Sequence, residues 1–197
     1  MTDPISFKIK KKIDRYIHDP IVALIILPFF LILKILPFKI SSLICGSLVY
    51  LIAPFTKYQK RVLNNLNIAF PQKKEAEKIK ISKRFWFNFG QIIGELPHID
   101  KIISSKKILI SGHKKIQKGP AILIGAHLAN WEFLLRVGEM SGRRVSFVYR
   151  PINNWILNKL QFSRNSKINA DFFKKGRAAA IGMANKLKKG EVIGLTN

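Results

Sequence analysis

The sequence predicts an α/β fold: a mainly parallel sheet flanked by helices, with an N-terminal hydrophobic membrane-associating helical segment. Three observations point there. Residues 20–56 are almost continuously apolar, the following stretch carries helical periodicity, and from residue 107 short β-prone runs alternate with helical segments. A chain of 197 residues has room for one well-formed core but not comfortably for two. The expected organisation is a basic leader and hydrophobic anchor over residues 1–56, then an α/β domain over 57–197 that is incomplete at its C-terminus.

Residues 1–19 read as a basic, mobile leader containing Lys8, Lys10, Lys11, Lys12 and Arg15. The run "PIVALIILPFFLILKILPF", Pro20 to Phe38, is apolar apart from Lys34, and a second apolar run extends from Ile40 to Phe55. Each lies near the lower limit for a membrane span, about 17 residues. A signal peptide fits poorly, because the first run starts late and no small-residue cleavage site closes it. Lys57, Lys60 and Arg61 follow the second run, so positive charge flanks the pair on both sides. Both flanks then belong in the cytoplasm. This suits a hairpin or an in-plane anchor interrupted or kinked at Pro28, Pro37 and Pro54, with buried core helices of a soluble domain as the competing reading.

The segment "YQKRVLNNLNIAFPQ" predicts a helix ending before Pro71, since a residue preceding proline is pushed out of helical geometry. Beyond it, Ile79, Phe85, Phe89, Ile92, Ile93 and Leu96 recur at roughly helical intervals in a long, basic, amphipathic helix. "KILIS", "AILIGA", "RVSFVYR" and "EVIGLT" are the β-prone runs, and "NWEFLLRVGEMSG" and "GRAAAIGMANKLKKG" the intervening helices.

Lys and Arg outnumber Asp and Glu by 35 to 11, which draws the chain to a polyanion: nucleic acid, anionic lipid or an acidic protein. The apolar N-terminus and the absence of a recognisable binding motif count against nucleic acid. The single cysteine, Cys45, permits no internal disulfide and supplies no zinc cluster; it reads as a small buried hydrophobe in a reducing, cytosol-facing protein.

Chemistry concentrates in "GAHLANWEFL". His127 falls on the loop at the carboxyl end of a predicted strand, the edge where open α/β sheets bind ligands, and Glu132 follows in the next helix. Five positions along one continuous helix would set the two side chains roughly 140° apart, so they can meet only if His127 precedes the helix. Glu132 could then orient the imidazole, leaving the other nitrogen to act as a general base towards a hydroxyl that attacks an activated acyl carbonyl. A satisfied structural histidine is the competing reading of the pair taken alone. No metal is expected, because the spacing is not that of a zinc helix motif and no third ligand is evident.

In "VYRPINNWILNKLQFSRNS", Arg150 and Pro151 leave the sheet edge while Asn153 and Asn154 can cap the next helix. Arg150 would approach His127 if their strands were neighbours, and a guanidinium suits phosphate or carboxylate oxygens. Otherwise it is an exposed strand-end arginine. Arg164 and the run Lys174 to Arg177 add cationic groups that also fit solvated surface.

Taken in order, these residues resemble the bacterial lipid A biosynthesis late acyltransferases, the lauroyl and myristoyl transferases. His127 and Glu132 match the family's His, four residues, acid motif; Arg150, Pro151, Asn153 and Asn154 match its Arg-Pro with paired asparagines; Arg164 matches its later arginine. Upstream, Arg61, Asn65, Leu66, Phe70 and Pro71, then Trp86, Asn88, Gly90 and Glu95, match two further segments, and a hydrophobic anchor is a family trait. Trp155 and Asn158 depart from the proline and aspartate often found there.

The resemblance implies transfer of a fatty acyl chain from acyl carrier protein to a hydroxyl of a phosphorylated lipid A precursor. It implies no other cofactor, and it puts the catalytic domain on the cytoplasmic face of the inner membrane. His127 and Glu132 would be catalytic; Arg150, Asn153, Asn154 and Arg164 would bind substrate. Family members continue past a strand like "EVIGLT" into an Asp-Gln turn and a further stretch, so the chain is expected to be C-terminally truncated. A glycerolipid acyltransferase and an inactive membrane-associated remnant are the alternatives.

Overall fold

A computed structural model gives the fold and describes residues 12–105, 111–112, 119–136, 138, 141–165 and 168–196. It forms two compact units, one of residues Phe30–Lys107 and one of Met1–Phe29 with Ile108–Asn197. The "KILIS" strand expectation falls almost wholly outside the described residues.

Helices build the unit of residues 30–107. Helix α1, Asp19–Ile35, enters it from the N-terminal segment; α2 is Phe38–Ile52, α3 Lys57–Ala69, α4 Glu75–Glu95 and α5 Ile99–Ser104, with tight turns at Ala53–Phe55 and Leu96–His98. The prolines act unequally. Pro28 lies within the uninterrupted α1, whereas Pro37 separates α1 from α2 and Pro54 starts the turn that ends α2. At Pro37 no N–H is available for the Leu33 carbonyl, four residues earlier. Two side chains replace it: the Ser41 hydroxyl and the His98 Nε2–H each donate to that oxygen at 2.8 Å, both from buried positions.

Small residues bring α2 and α4 together. Gly90 and Gly94 stand one helical turn apart on α4, and a methyl at either would collide with the backbone of α2 at Cys45 or Ser41. Helices with this spacing of small residues can let their backbones touch. Further along α4, the Trp86 indole N–H donates to Gln59 Oε1 at 2.6 Å and the Gln59 amide donates to the Ser82 hydroxyl at 3.0 Å, fixing α3 against α4. At the start of α4 the Lys74 N–H donates to the Glu77 carboxylate at 3.2 Å, satisfying one of the donors that a helix start leaves open.

The other unit carries a four-stranded, all-parallel sheet of β1 Ala121–Gly125, β2 Val145–Tyr149, β3 Ala170–Lys174 and β4 Val192–Thr196, in the order β1-β4-β2-β3. Strand β3 was not among the runs the sequence pointed to. Helix α6 is Trp155–Asn165 and α7 Arg177–Lys188. Val145, Phe147, Ala170 and Val192 form the core on one face. On the other face Phe173 meets Gly182 of α7, which has no side chain to obstruct the ring. The Arg143 guanidinium donates to the carbonyls of Gly119 at 2.7 Å and Gly190 at 2.8 Å, joining the segments that lead into β1 and β4.

The residues 131–136 form a short 3-10 segment, Trp131–Arg136, rather than the expected α-helix. The N-terminal reading also changes, since residues 12–18 are already helical and include a π turn at Asp14–His18. Asp14–Ile35 and Phe38–Phe55 are both long and apolar enough to cross a membrane.

Substituting Gly90 by Val should force α2 and α4 apart, costing about 3 kcal/mol or more, because the obstacle is backbone. Gly46→Ala meets only the Gln91 and Phe87 side chains, at 3.0 Å, and should cost far less. Thermal unfolding of the two variants in detergent checks this ordering.

Asp171 gives a pH dependence. Burial works to raise its carboxyl pKa, but the hydrogen bonds and charges of Lys186 and Arg144 outweigh this and leave it below its ordinary value. Its stabilisation is therefore present above the unfolded value of about 3.9 and lost as pH falls through the folded one. Lys186, raised by Asp171 and Glu191, contributes below about 10.4 and loses its contribution as pH rises through its folded pKa. Asp171→Asn should flatten the acid limb of a plot of thermal midpoint against pH.

Candidate active site

All four strands are parallel, so their carboxyl ends lie along one edge, and His127 stands on that edge just beyond β1. The backbone shapes the loop tightly. The Leu128 N–H donates to the Ala126 carbonyl at 2.8 Å, closing a three-residue turn centred on His127. Ala129 then takes φ +48°, a left-handed conformation uncommon outside glycine. Asn130 ends the loop by accepting the Glu132 N–H on its side chain at 3.2 Å, which starts the 3-10 segment. A methyl at Gly125 would meet the end of the Leu134 side chain, which packs against the strand end and would have to shift to make room.

The turn leaves His127 exposed, its ring 5.0 Å from that of Trp131 and tilted by 56°. His127 thus precedes the helical segment that carries Glu132, the order the sequence argument required. Trp131 was not singled out from sequence.

Arg150 is exposed beyond β2, on the same edge, but β1 and β2 are not neighbours: β4 lies between them. The condition under which Arg150 would approach His127, neighbouring strands, is therefore not met. The two strand ends are two spacings apart, roughly 10 Å across the end of β4. Lys174, the last residue of β3, and Lys175 and Arg177 after it extend the cationic edge.

The paired asparagines have separate surroundings. Asn153 is exposed, whereas Asn154 is buried and its Oδ1 accepts the N–H groups of Ile156 at 3.0 Å and Leu157 at 3.1 Å, capping α6. Its Nδ2 donates to the Asp19 carbonyl at 2.8 Å. The neighbouring Trp155 makes two more bonds to the N-terminal segment: its backbone N–H reaches Asp19 Oδ2 at 3.3 Å and its indole N–H reaches the Arg15 carbonyl at 3.1 Å. Arg15 lies in the π turn, whose wider winding interrupts the regular ladder of carbonyls. Asn158 holds the other side of the loop by accepting the Ile152 N–H at 3.1 Å. Arg164 belongs to α6, and its side chain lies outside the described residues.

Asp19, Trp155 and Asn158 were not expected at the site, yet they fix the segment that follows Arg150. Only the apolar run's starting acid and the capping potential of asparagine hinted at this. Among the described residues, no three His, Cys, Asp or Glu side chains gather as a metal site.

A family model described as bacterial lipid A biosynthesis acyltransferase matches residues 7–197. No curated protein matches the chain.

The asparagine pair generates a direct comparison. Asn154→Ala should cost about 1–2 kcal/mol through loss of the cap and leave the Asp19 carbonyl short of a donor. Asn153→Ala should stay within about 0.5 kcal/mol. Denaturation midpoints of the two variants read the difference.

Proposed function

The chain belongs to the bacterial lipid A biosynthesis acyltransferase family, and from that premise we propose that it moves a fatty acyl chain from acyl carrier protein to a hydroxyl of a phosphorylated lipid A precursor. Family membership supports an acyltransferase role in lipid A synthesis. The observation that carries the finer reading is the placement of His127: exposed at the carboxyl edge of β1, held by a tight turn, and followed at once by the segment bearing Glu132.

In this reading one imidazole nitrogen of His127 takes the proton of the acceptor hydroxyl as its oxygen attacks the thioester carbonyl. The C–O bond forms, the C–S bond breaks, and the carrier's thiolate leaves with the proton returned by the imidazolium. Glu132 is the orienting carboxylate that favours the charged ring during the reaction. No serine or cysteine nucleophile is needed, because the hydroxyl attacks the donor directly.

Arg150, across the end of β4, binds an acceptor phosphate or supports the oxygen that becomes negative in the tetrahedral intermediate. Asn153 and Arg164 assist acceptor binding, while Asn154 shapes the segment behind Arg150. The basic charge of the chain serves both the acidic carrier protein and the phosphorylated acceptor. Its two apolar helices would keep this chemistry at the cytoplasmic face of the inner membrane.

Membranes containing the chain, acyl carrier protein loaded with labelled fatty acid and a tetra-acylated lipid A precursor provide the test. His127→Ala should lower transfer by about 10²–10⁴-fold without changing membrane association, and Glu132→Gln should lower it less. Arg150→Ala should weaken use of a phosphorylated acceptor more than of its dephosphorylated form. Absence of transfer from well-expressed wild-type chain would overturn the reading.

A further inference from the structure

The unit of residues 30–107, which does not carry His127, has an open groove of about 960 Å³ between α2 and α4. Tyr50, Leu51, Ile79 and Phe87 supply its apolar wall. Lys80, Lys83 and Arg84, all exposed, supply its cations, and none of the residues lining it is acidic. Lys83 reaches across to the α2 side, its Nζ 5.9 Å from the centre of the Tyr50 ring.

The nearby acids do not neutralise these groups. Glu75 pairs with Lys78 at 3.1 Å and Glu77 with Lys73 at 3.4 Å, so among the described residues both carboxylates on this part of α4 have other partners. An anion entering the groove would meet three cations within little more than one helical turn. Held as three solvated charges beside an apolar wall, they suit a ligand that is anionic at one end and hydrocarbon at the other.

The position of the groove identifies the source of that ligand. One wall is α2, whose extended stretch Phe38–Phe55 is long and apolar enough to cross a membrane and is only 28% buried. Leu43, Leu48, Leu51, Ile52 and Phe55 on this stretch are all exposed. Tyr50 and Leu51 lie near the end of this stretch, shortly before Lys57, Lys60 and Arg61. That is where a span meets the head-group layer, and cations there are attracted to anionic lipid.

We propose that the groove between α2 and α4 binds one anionic phospholipid of the bilayer, with its phosphate held by Lys80, Lys83 and Arg84 and an acyl chain along Leu51, Ile79 and Phe87. Acyl carrier protein is also acidic, but an acidic protein face has no hydrocarbon chain for the apolar wall. The site does not depend on acyl transfer, and its test needs no turnover.

The full chain, purified in a neutral detergent, would be titrated with phosphatidylglycerol or with phosphatidylcholine of the same acyl chains, and one-to-one adducts counted by native mass spectrometry. Phosphatidylglycerol should bind at least about tenfold more tightly than phosphatidylcholine. The exposed-site variant Lys80→Gln, Lys83→Gln, Arg84→Gln should lose that preference. A control, Lys57→Gln, Lys60→Gln, Arg61→Gln, removes the same charge from outside the groove and should retain it. Circular dichroism confirms that both variants keep the helical signal of the parent.

Equal losses in both variants would overturn the site in favour of diffuse surface charge. Equal binding of the two lipids would overturn the role of the cations. Loss of carrier-protein binding in the groove variant with phosphatidylglycerol binding intact would overturn the lipid in favour of a protein partner.

Discussion

The contact between α2 and α4 at Gly90 and Gly94 is the constraint around which the helical unit is arranged. Without side chains there, the two helices approach until backbone meets backbone. The same α2 segment supplies Ser41, which with His98 completes the hydrogen bonding of a carbonyl that Pro37 cannot reach. One end of the helix pair is thus closely packed and also linked to the end of α1. At the opposite end Tyr50, Ile79, Lys83 and Phe87 replace the glycines, and their bulk opens the cavity. Tight packing and the groove are two results of one gradient in side-chain size.

In the sheet unit, electrostatics separates structural from chemical residues. The carboxylate of Asp171 ties β3 to Lys186 of α7 and to Arg144 before β2, while Glu191 also engages Lys186. Asp19 receives the Trp155 N–H and, through its carbonyl, Asn154. The scarce acids therefore hold elements in place, and much of the cationic excess is left to face outward. The sheet edge concentrates part of it, with Arg150 beyond β2, Lys174 at the end of β3, and Lys175 and Arg177 beyond it.

Much of this was legible in the sequence. Alternating β-prone and helical segments gave the parallel sheet, periodicity and Pro71 gave α3 and α4, and the strand-loop-helix position of His127 followed from a handful of residues. Strand β3 was hidden because its two phenylalanines sit between polar residues and a lysine run, and pairing with β2 supplies what local propensity does not. Strand order was also out of reach: nothing local says that β4 enters between β1 and β2. Trp155 stands where the family often has proline, and its role here is tertiary. Both its backbone N–H and its indole N–H are donors to the N-terminal segment, and proline has neither. The candidate residues were picked out by type and spacing, whereas the bonds that Asp19 makes to Asn154 and Trp155 join positions far apart in sequence and leave no local signal.

The central place of β4 has a consequence for how the protein is made. Among the described strands β1 pairs only with β4, Ala121 opposite Val192, and β2 pairs with β3 and β4. During synthesis the apolar helices emerge first, while the strand preceding His127 has no partner until nearly all the described chain has been produced. Closing so long a connection is slow relative to forming the helices. An unpaired aliphatic strand with Ile122 and Ile124 thus waits beside the growing chain, which makes an arrest of translation between β1 and β4 an aggregation risk.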